Sequence, residues 1–262
     1  MDIFTVMFKR KITTVSFFSF TTICFVRMTL HAQATFPEFE KHLFISGSDT
    51  LPYRLLQPEP VKRGKKYPLV IFLHGAGERG RDNEMNLKYI TGLFLHTKNR
   101  KKFPAYVVVP QCPPAKWWAP QNWKEQPFAP ADRVIGLMDE LIRTKQIDIN
   151  RVYLMGLSMG GNGTWYLLTK YPDRFAAGVP ICGWGDPELV AAMKNVPVWA
   201  FHGDKDSVVP VEKSRELIDA LTSVGSTPRY TEYAGIGHDS WTPALAEPEL
   251  LKWLFSNKRN HP

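Results

Sequence analysis

Five short apolar runs recur along the chain, each rich in β-branched residues and free of polar alternation. They cover residues 68–74, 105–110, 151–157, 175–181 and 196–201. Continuous apolar runs of this length are typical of strands that are buried on both faces, because neither side of such a strand meets water. The pattern therefore predicts a largely parallel sheet that is covered on both sides.

Helical patterns fill the intervals between these runs. The clearest covers residues 132–146, where Val134, Leu137, Met138 and Leu141 recur at spacings of three and four. The others cover 158–171, 211–224 and 244–256. Strands that alternate with helices predict an α/β fold with helices on both faces of the sheet.

The start of this region has a different pattern. Two strand-like stretches, 39–46 and 51–57, are joined by Gly47, Ser48 and Asp49. A short polar turn between two strands favours an antiparallel hairpin. We therefore expect an N-terminal hairpin followed by the parallel sheet.

The N-terminus has the features of a signal peptide. Lys9, Arg10 and Lys11 precede a mostly apolar run at 12–26, and an Ala-Gln-Ala pattern at 32–34 follows. The run contains several Thr and Ser residues, which makes it a poor membrane anchor. The prediction is a signal peptide at 1–34, one folded domain at 35–262 and export to the periplasm or the medium, with no stable membrane span after processing. Translation could start at Met1 or at Met7.

Composition and charge exclude some classes of protein. With 44% hydrophobic and 22% charged residues, the chain is an ordinary globular sequence. The formal charge of +8 is partly carried by residues 1–34 and is too scattered to indicate a nucleic-acid partner. The densest basic runs, 62–66 and 98–102, are interpreted as solvated loops. The sequence leaves the oligomeric state open.

Two cysteines remain after the predicted signal peptide, Cys112 and Cys182. They follow predicted strands that two other strands separate. A disulfide would need loops that bend back toward each other, because neighbouring strands lie about 4.8 Å apart. We expect two buried thiols, with pairing as the alternative.

The sequence Gly156-Leu157-Ser158-Met159-Gly160 has the form G-x-S-x-G, and it directly follows a predicted strand and opens a predicted helix. In that context the motif marks a nucleophilic serine on a tight turn, where small neighbours avoid collisions with the backbone. Ser158 is therefore the candidate nucleophile.

Its partners occur in the expected chain order, each just past a predicted strand. Asp206 lies in 202–206 (HGDKD) and His238 in 235–239 (GIGHD). A histidine would take the proton of Ser158, and an aspartate would hold the imidazole in the required tautomer. Capping or solvation is the alternative role for a single Asp or His in a turn. Three such residues in this order at strand ends favour a Ser-His-Asp catalytic triad of Ser158, His238 and Asp206.

The apolar strand at 68–73 ends in His74-Gly75. In hydrolases with the G-x-S-x-G turn, the loop at this position supplies one backbone N–H of the oxyanion hole, and the residue after the nucleophile supplies the other. These donors are assigned to Ala76 and Met159. His74 is interpreted as a residue that braces the loop.

These motifs together resemble one group of proteins. The segments are 73–80 (LHGAGERG), 109–112 (VPQC), 156–161 (GLSMGG), 180–183 (PICG), 202–210 (HGDKDSVVP) and 237–241 (GHDSW). They are similar to single-domain secreted α/β-hydrolases called predicted peptidases or phospholipase/carboxylesterase-like proteins, which are related to feruloyl and acetyl-xylan esterases and to polyhydroxybutyrate depolymerases. The resemblance spans residues 37–256. It implies the α/β-hydrolase fold and the same triad, with Asp206 rather than Asp204 as the acid.

Substrate contacts are expected from aromatic residues near these motifs. The candidates are Trp184, Trp241, Trp117, Trp118 and Trp123, the last three within the long, proline-rich irregular stretch 111–130. Packing in the core is the alternative for each. Trp184 stands where the similar proteins tend to have a small residue, which predicts a narrowed cleft. The charged loop at 78–84 is interpreted as an internally paired brace, with substrate contact as the alternative.

The sequence thus predicts a carboxylic-ester hydrolase that forms an acyl-enzyme on Ser158 and needs no metal or organic cofactor. By analogy with the similar proteins, the substrate is a small-molecule or carbohydrate-linked ester, such as an acetyl or feruloyl ester of a plant polysaccharide. A serine peptidase is one alternative. A non-catalytic binding module is the other, although such a module would normally have lost a member of the triad.

Overall fold

The computed structural model describes residues 35–47, 49–125 and 128–259. The predicted signal peptide lies outside these residues. From Phe36 onward the contacts form one compact unit. Among the described residues, no helix combines the length and the apolar character needed to cross a membrane.

Within the described ranges, eight strands form one sheet in the order β1-β2-β4-β3-β5-β6-β7-β8. β1 pairs with β2, and β2 with β4, in antiparallel register, whereas the other neighbouring pairs are parallel. The strands are β1 Phe39–Ser46, β2 Asp49–Leu56, β3 Tyr67–Leu73, β4 Tyr106–Pro110, β5 Ile147–Leu157, β6 Ala177–Ile181, β7 Trp199–Gly203 and β8 Arg229–Tyr233. This confirms the predicted N-terminal hairpin and the mostly parallel sheet.

Seven α-helices accompany these strands in the part of the chain that is described. They are α1 Thr91–Leu95, α2 Thr97–Lys102, α3 Pro130–Thr144, α4 Met159–Lys170, α5 Glu212–Ser223, α6 Trp241–Ala246 and α7 Leu250–Ser256. Burial along β3 shows that both faces of the sheet are covered. Leu69, Ile71 and Leu73 pack in one apolar cluster with α3 and α4, and Val70 and Phe72 pack in the other with α1 and α7.

Two local predictions were wrong. The pattern at 244–256 predicted one helix, but α6 ends at Ala246 and α7 begins at Leu250. Pro248 lies between them, and proline disfavours the helical conformation of the residue before it. The basic run 98–102, predicted as a loop, lies in the helix α2, which buries none of its side chains.

Candidate active site

Ser158 lies on a sharp turn between β5 and α4. Its backbone has φ 53° and ψ −117°, a conformation that costs a residue with a side chain about 1–3 kcal/mol. The turn is held from both sides. The Ser158 amide donates to the Ile181 carbonyl oxygen (2.8 Å), and the Ser158 carbonyl oxygen accepts from the Asn162 amide (2.9 Å).

Close backbone packing explains the two glycines of the motif. A Cβ at Gly156 would lie 2.3 Å from the Gly160 carbonyl oxygen. A Cβ at Gly160 would lie 1.9 Å from the Leu73 carbonyl oxygen. Neither position can hold a side chain unless the backbone moves. Glycine at 156 lets α4 pack against the end of β5, and glycine at 160 lets α4 approach the end of β3.

The structure brings Ser158, His238 and Asp206 together in one hydrogen-bonded chain. Ser158 Oγ lies 2.9 Å from His238 Nε2, and His238 Nδ1 lies 2.7 Å from Asp206 Oδ2. The other candidate acid, Asp204, instead accepts a hydrogen bond from the Gly235 amide at the turn after β8 (2.6 Å). A serine, an imidazole and a carboxylate in this order can activate the serine hydroxyl for attack on a carbonyl carbon.

Asp206 is buried, yet both oxygens of its carboxylate accept hydrogen bonds. Oδ1 accepts from the amides of Val208 and Val209, both at 2.8 Å. Burial alone would raise the pKa of Asp206, but the hydrogen bonds from His238 and from these amides outweigh it and hold the pKa below its usual value. The carboxylate therefore remains ionised opposite His238.

A second histidine reaches the same carboxylate, and the sequence prediction did not assign it a role. His202 Nε2 lies 3.1 Å from Asp206 Oδ2 and 2.9 Å from the Val209 carbonyl oxygen. His202 Nδ1 lies 2.7 Å from Ser214 Oγ on α5. The signal in the sequence was the position of His202 at the end of a buried strand, four residues before Asp206.

The loop after β3 lies against the nucleophile. A Cβ at Gly75 would lie 3.7 Å from the Ser158 Cβ. His74 fixes this loop, because Nδ1 lies 2.7 Å from the Gly75 carbonyl oxygen and Nε2 accepts from the Cys112 amide (2.9 Å). Burial lowers the pKa of His74 to about 4, so its ring is neutral near pH 7. The geometry thus fits a bracing role for His74.

The two assigned oxyanion donors border this space. Ala76 directly follows Gly75, and Met159 is the first residue of α4, where a backbone N–H has no acceptor within the helix. Both residues therefore adjoin Ser158, Met159 along the chain and Ala76 through the neighbouring Gly75.

The charged loop at 78–84 is held in place by side chains from outside it. Gln111 Nε2 donates to the Glu78 carbonyl oxygen (3.1 Å) and to the Asp82 carboxylate (3.0 Å), and Gln111 Oε1 accepts from the Asn83 amide (2.7 Å). The buried guanidinium of Arg54 donates to the Asn83 carbonyl oxygen (3.0 Å). These contacts agree with the interpretation of the loop as a brace for the residues that precede it.

The tryptophans fall into two groups, and the prediction for Trp118 and Trp123 needs correction. Trp118 is fully buried, and its Nε1 donates to the His74 carbonyl oxygen (3.0 Å). Trp123 is buried edge-on against Tyr166, with ring centres 5.5 Å apart. Neither offers an open ring face to a substrate, because the apolar cluster around α4 occupies both.

Trp117, Trp184 and Trp241 remain candidates for substrate contact. Trp117 is 39% exposed and meets the partly exposed Trp184 edge-to-face, with ring centres 6.1 Å apart. The Trp184 carbonyl oxygen accepts from Asn162 on α4 (2.9 Å), one turn beyond Ser158. Trp241 stands edge-on to His238, with ring centres 5.3 Å apart. Trp241 thus lies against His238, whereas Trp184 lies near the first turn of α4 and Trp117 packs on Trp184.

One group of described residues brings potential metal-ligand atoms together. Atoms of Cys182, Asp206 and His238 lie within 4.8 Å of one another. Burial raises the pKa of the Cys182 thiol to about 12, so at neutral pH it is a protonated thiol rather than a thiolate ligand. Cys112 and Cys182 are both free and buried, as expected. The strands that they follow, β4 and β6, are separated by β3 and β5.

The fold and this site match a known family. Residues 60–248 match the family model described as phospholipase/carboxylesterase. The chain belongs to this family. Its fold is the α/β-hydrolase fold.

The curated relatives share only about a quarter of their aligned residues with this chain. The chain is 24% identical over 89% of its length to an uncharacterized secreted protein of Arthroderma benhamiae. It is 27% identical over 54% of its length to a bifunctional acetylxylan esterase/xylanase of Neocallimastix patriciarum. The aligned regions are 28% and 20% of the lengths of these two relatives.

Solved structures give the same fold. The crystal structure of a thermostable esterase is 39% identical, with a TM-score of 0.81 over 85% of this chain and 64% of that one. A ferulic acid esterase of Anaeromyces mucronatus is 18% identical, with a TM-score of 0.64 over 81% of this chain and 89% of that one. At that identity the second likeness concerns the fold alone.

Replacement of Trp118 by alanine should lower the free energy of unfolding by about 3–5 kcal/mol, because it leaves a large cavity and an unpaired His74 carbonyl group. The same change at the exposed Trp117 serves as the matched control and should leave the melting temperature nearly unchanged. Chemical denaturation of both variants measures the difference. Equal stability of the two would contradict the placement of Trp118 in the core.

Proposed function

We propose that Ser158, His238 and Asp206 form a catalytic triad that hydrolyses a carboxylic ester through an acyl-enzyme. The observation that carries the proposal is the chain of short contacts from Ser158 Oγ through the His238 ring to the ionised Asp206. In this mechanism His238 takes the Ser158 proton as the oxygen attacks the carbonyl carbon, and then returns it to the departing alcohol. A water molecule activated by His238 then releases the acid.

Stabilisation of the oxyanion is assigned to the backbone N–H groups of Ala76 and Met159. Two features of the structure support this assignment. The Gly75 backbone lies against Ser158, and the neutral His74 ring ties it to the Cys112 amide. Donors that are held in place before the reaction need no reorganisation as charge develops on the carbonyl oxygen.

For the substrate, we propose an acetyl or feruloyl ester of a plant polysaccharide, or a similar small ester. Support comes from the exposed Trp117, which with the partly exposed Trp184 offers aromatic surface near α4. The similarity to a protein named an acetylxylan esterase/xylanase points the same way. Aromatic side chains bind sugar or phenolic rings through apolar contact.

Export is proposed on separate grounds. The basic, apolar and small-residue segments at 1–34 support a cleaved signal peptide, and one relative is named a secreted protein. Mass spectrometry of the protein recovered from the periplasm or the medium would identify the mature N-terminus.

Ser158→Ala should abolish ester hydrolysis while leaving the fold intact, with a loss of about a millionfold in turnover. A fluorophosphonate probe should label Ser158 alone. The assay pairs short-chain aryl esters with acetylated xylan, methyl ferulate and a peptide panel. Labelling of another serine, or wild-type turnover in the variant, would exclude Ser158 as the nucleophile.

Asp206→Asn should reduce turnover by about 10⁴-fold, because an amide at this position leaves the His238 imidazole in the wrong tautomer. Asp204→Asn is the matched control and should cost far less, because Asp204 contacts the Gly235 amide rather than His238. Steady-state kinetics of both variants test this, and the reverse order of losses would assign the acid to Asp204.

Trp117→Ala should raise KM for a bulky feruloyl ester and leave hydrolysis of a small aryl acetate nearly unchanged. Contacts remote from the reacting carbonyl affect only the substrates that reach them. Steady-state kinetics on the two esters measure this difference in KM. An equal effect on both esters would argue against a substrate contact at Trp117.

A further inference from the structure

Arg79 lies next to the oxyanion loop and has no carboxylate partner among the residues that the structure describes. Its Nε donates to the Ala76 carbonyl oxygen (2.8 Å), and its Nη1 donates to the Lys116 carbonyl oxygen at 3.4 Å. The guanidinium lies over the ring of Trp117, with its carbon 5.5 Å from the ring centre. The side chain is partly exposed, and no carboxylate among the described residues forms an ion pair with it.

The acidic side chains of the same loop contact partners other than Arg79. Glu78 is buried, with Lys88 as its cation at 3.8 Å. Asp82 Oδ1 accepts from the Glu84 amide (2.7 Å) and from Gln111 (3.0 Å). The loop therefore presents a positive group beside Trp117 that its own carboxylates do not neutralise.

We propose that Arg79, together with Trp117 and Trp184, forms a subsite for a carboxylate on the substrate, so that the preferred esters are anionic. The planar guanidinium matches a carboxylate in shape and charge, and the two indole rings contact the apolar part that carries it. The carboxylate belongs either to the acyl group, as in a half-ester of a dicarboxylic acid, or to the alcohol, as in a uronic acid. This inference rests on the proposed function of Ser158.

Two matched pairs of esters test it. 4-Nitrophenyl valerate and the 4-nitrophenyl half-ester of glutaric acid place the difference in the acyl group. Acetyl esters of a methyl glucoside and of a methyl glucuronide place it in the alcohol. The anionic member of one pair should have the higher kcat/KM, and added salt should reduce the preference, because exposed charges are screened.

In that pair, Arg79→Gln should lower the ratio of kcat/KM for the anionic ester to kcat/KM for the neutral ester about tenfold. Any loss that comes from the Ala76 contact affects both esters alike and cancels in this ratio. Arg79→Lys should retain part of the preference. Arg81→Gln, which removes an exposed arginine of the same loop, is the control. Equal losses on neutral and anionic esters, or no anionic preference in the wild type, would overturn the subsite. Failure of the triad would instead appear as full activity of Ser158→Ala on every ester.

The buried pair of His202 and Ser214 supports a second, independent inference. His202 Nε2 faces two acceptors, Asp206 Oδ2 and the Val209 carbonyl oxygen. Nε2 therefore carries the proton, and Nδ1 accepts from the Ser214 hydroxyl. Burial lowers the pKa of His202, which keeps the ring neutral. The ionisable groups that act on this ring are Asp206, His238 and, from β8, Glu232.

We infer that His202 is a positioning residue, which keeps the Asp206 carboxylate ionised and oriented toward His238. It donates to the same carboxylate oxygen as His238, and it links that oxygen through Ser214 to α5. Four donors then fix the carboxylate, two from backbone amides and two from histidine rings. A misplacement of 1 Å in such an arrangement can cost about a hundredfold in rate.

His202→Leu should lower kcat at least tenfold with little change in KM. It should also move the acid limb of the kcat/KM profile to higher pH, because a carboxylate with one donor fewer stabilises the His238 imidazolium more strongly. His202→Gln keeps a donor near the Nε2 position and should restore most of the rate and the profile.

Fluorophosphonate titration corrects each His202 variant for the fraction of folded sites. The variants could have a lower melting temperature but wild-type kcat per titrated site and an unchanged pH profile. This result would show that His202 contributes only packing. No rescue by glutamine would also overturn the inference. Both results would leave the assignment of Ser158 intact, because that depends on Ser158→Ala and on the labelled residue.

Discussion

The strained turn at Ser158 is the constraint on which the site depends. A positive φ at a serine is unfavourable by itself, and it persists because β6 binds the Ser158 amide while Gly156 and Gly160 let α4 pack directly against backbone. The same approach brings the end of β3, and with it the oxyanion loop, against the serine. One local geometry therefore sets both the direction of the hydroxyl and its distance from the loop.

Around this turn, uncharged histidines do much of the positioning. His74 and His202 are both buried, and burial lowers the pKa of each. Each ring donates on one side and accepts on the other, which fixes its tautomer and joins two segments of chain. The ionised Asp206 then contacts two histidines, the partly exposed His238 and the buried His202, whose burial opposes protonation. In the proposed mechanism this leaves proton transfer to His238 alone.

Much of the fold could be predicted from periodicity, because strands buried on both faces and amphipathic helices have strong patterns. The order of Ser158, Asp206 and His238 at strand ends also predicted that they would lie close together, since the carboxyl ends of parallel strands share one edge of the sheet. In the structure their side chains form one hydrogen-bonded chain. Contacts between segments that are distant in the chain could not be predicted from periodicity or residue order. The bonds from Trp118 to His74 and from His202 to Ser214 depend on packing, and no spacing in the sequence distinguishes Trp118 from its exposed neighbour Trp117.

The two free thiols bear on how the chain folds. Cys112 and Cys182 lie at the ends of β4 and β6, with two strands between them, and burial raises the pKa of each thiol to about 12. Thiol oxidation and disulfide exchange proceed through the thiolate, so the folded protein keeps both sulfurs reduced by exclusion from solvent. Within the residues that the structure describes, folding therefore requires no oxidant to form a disulfide.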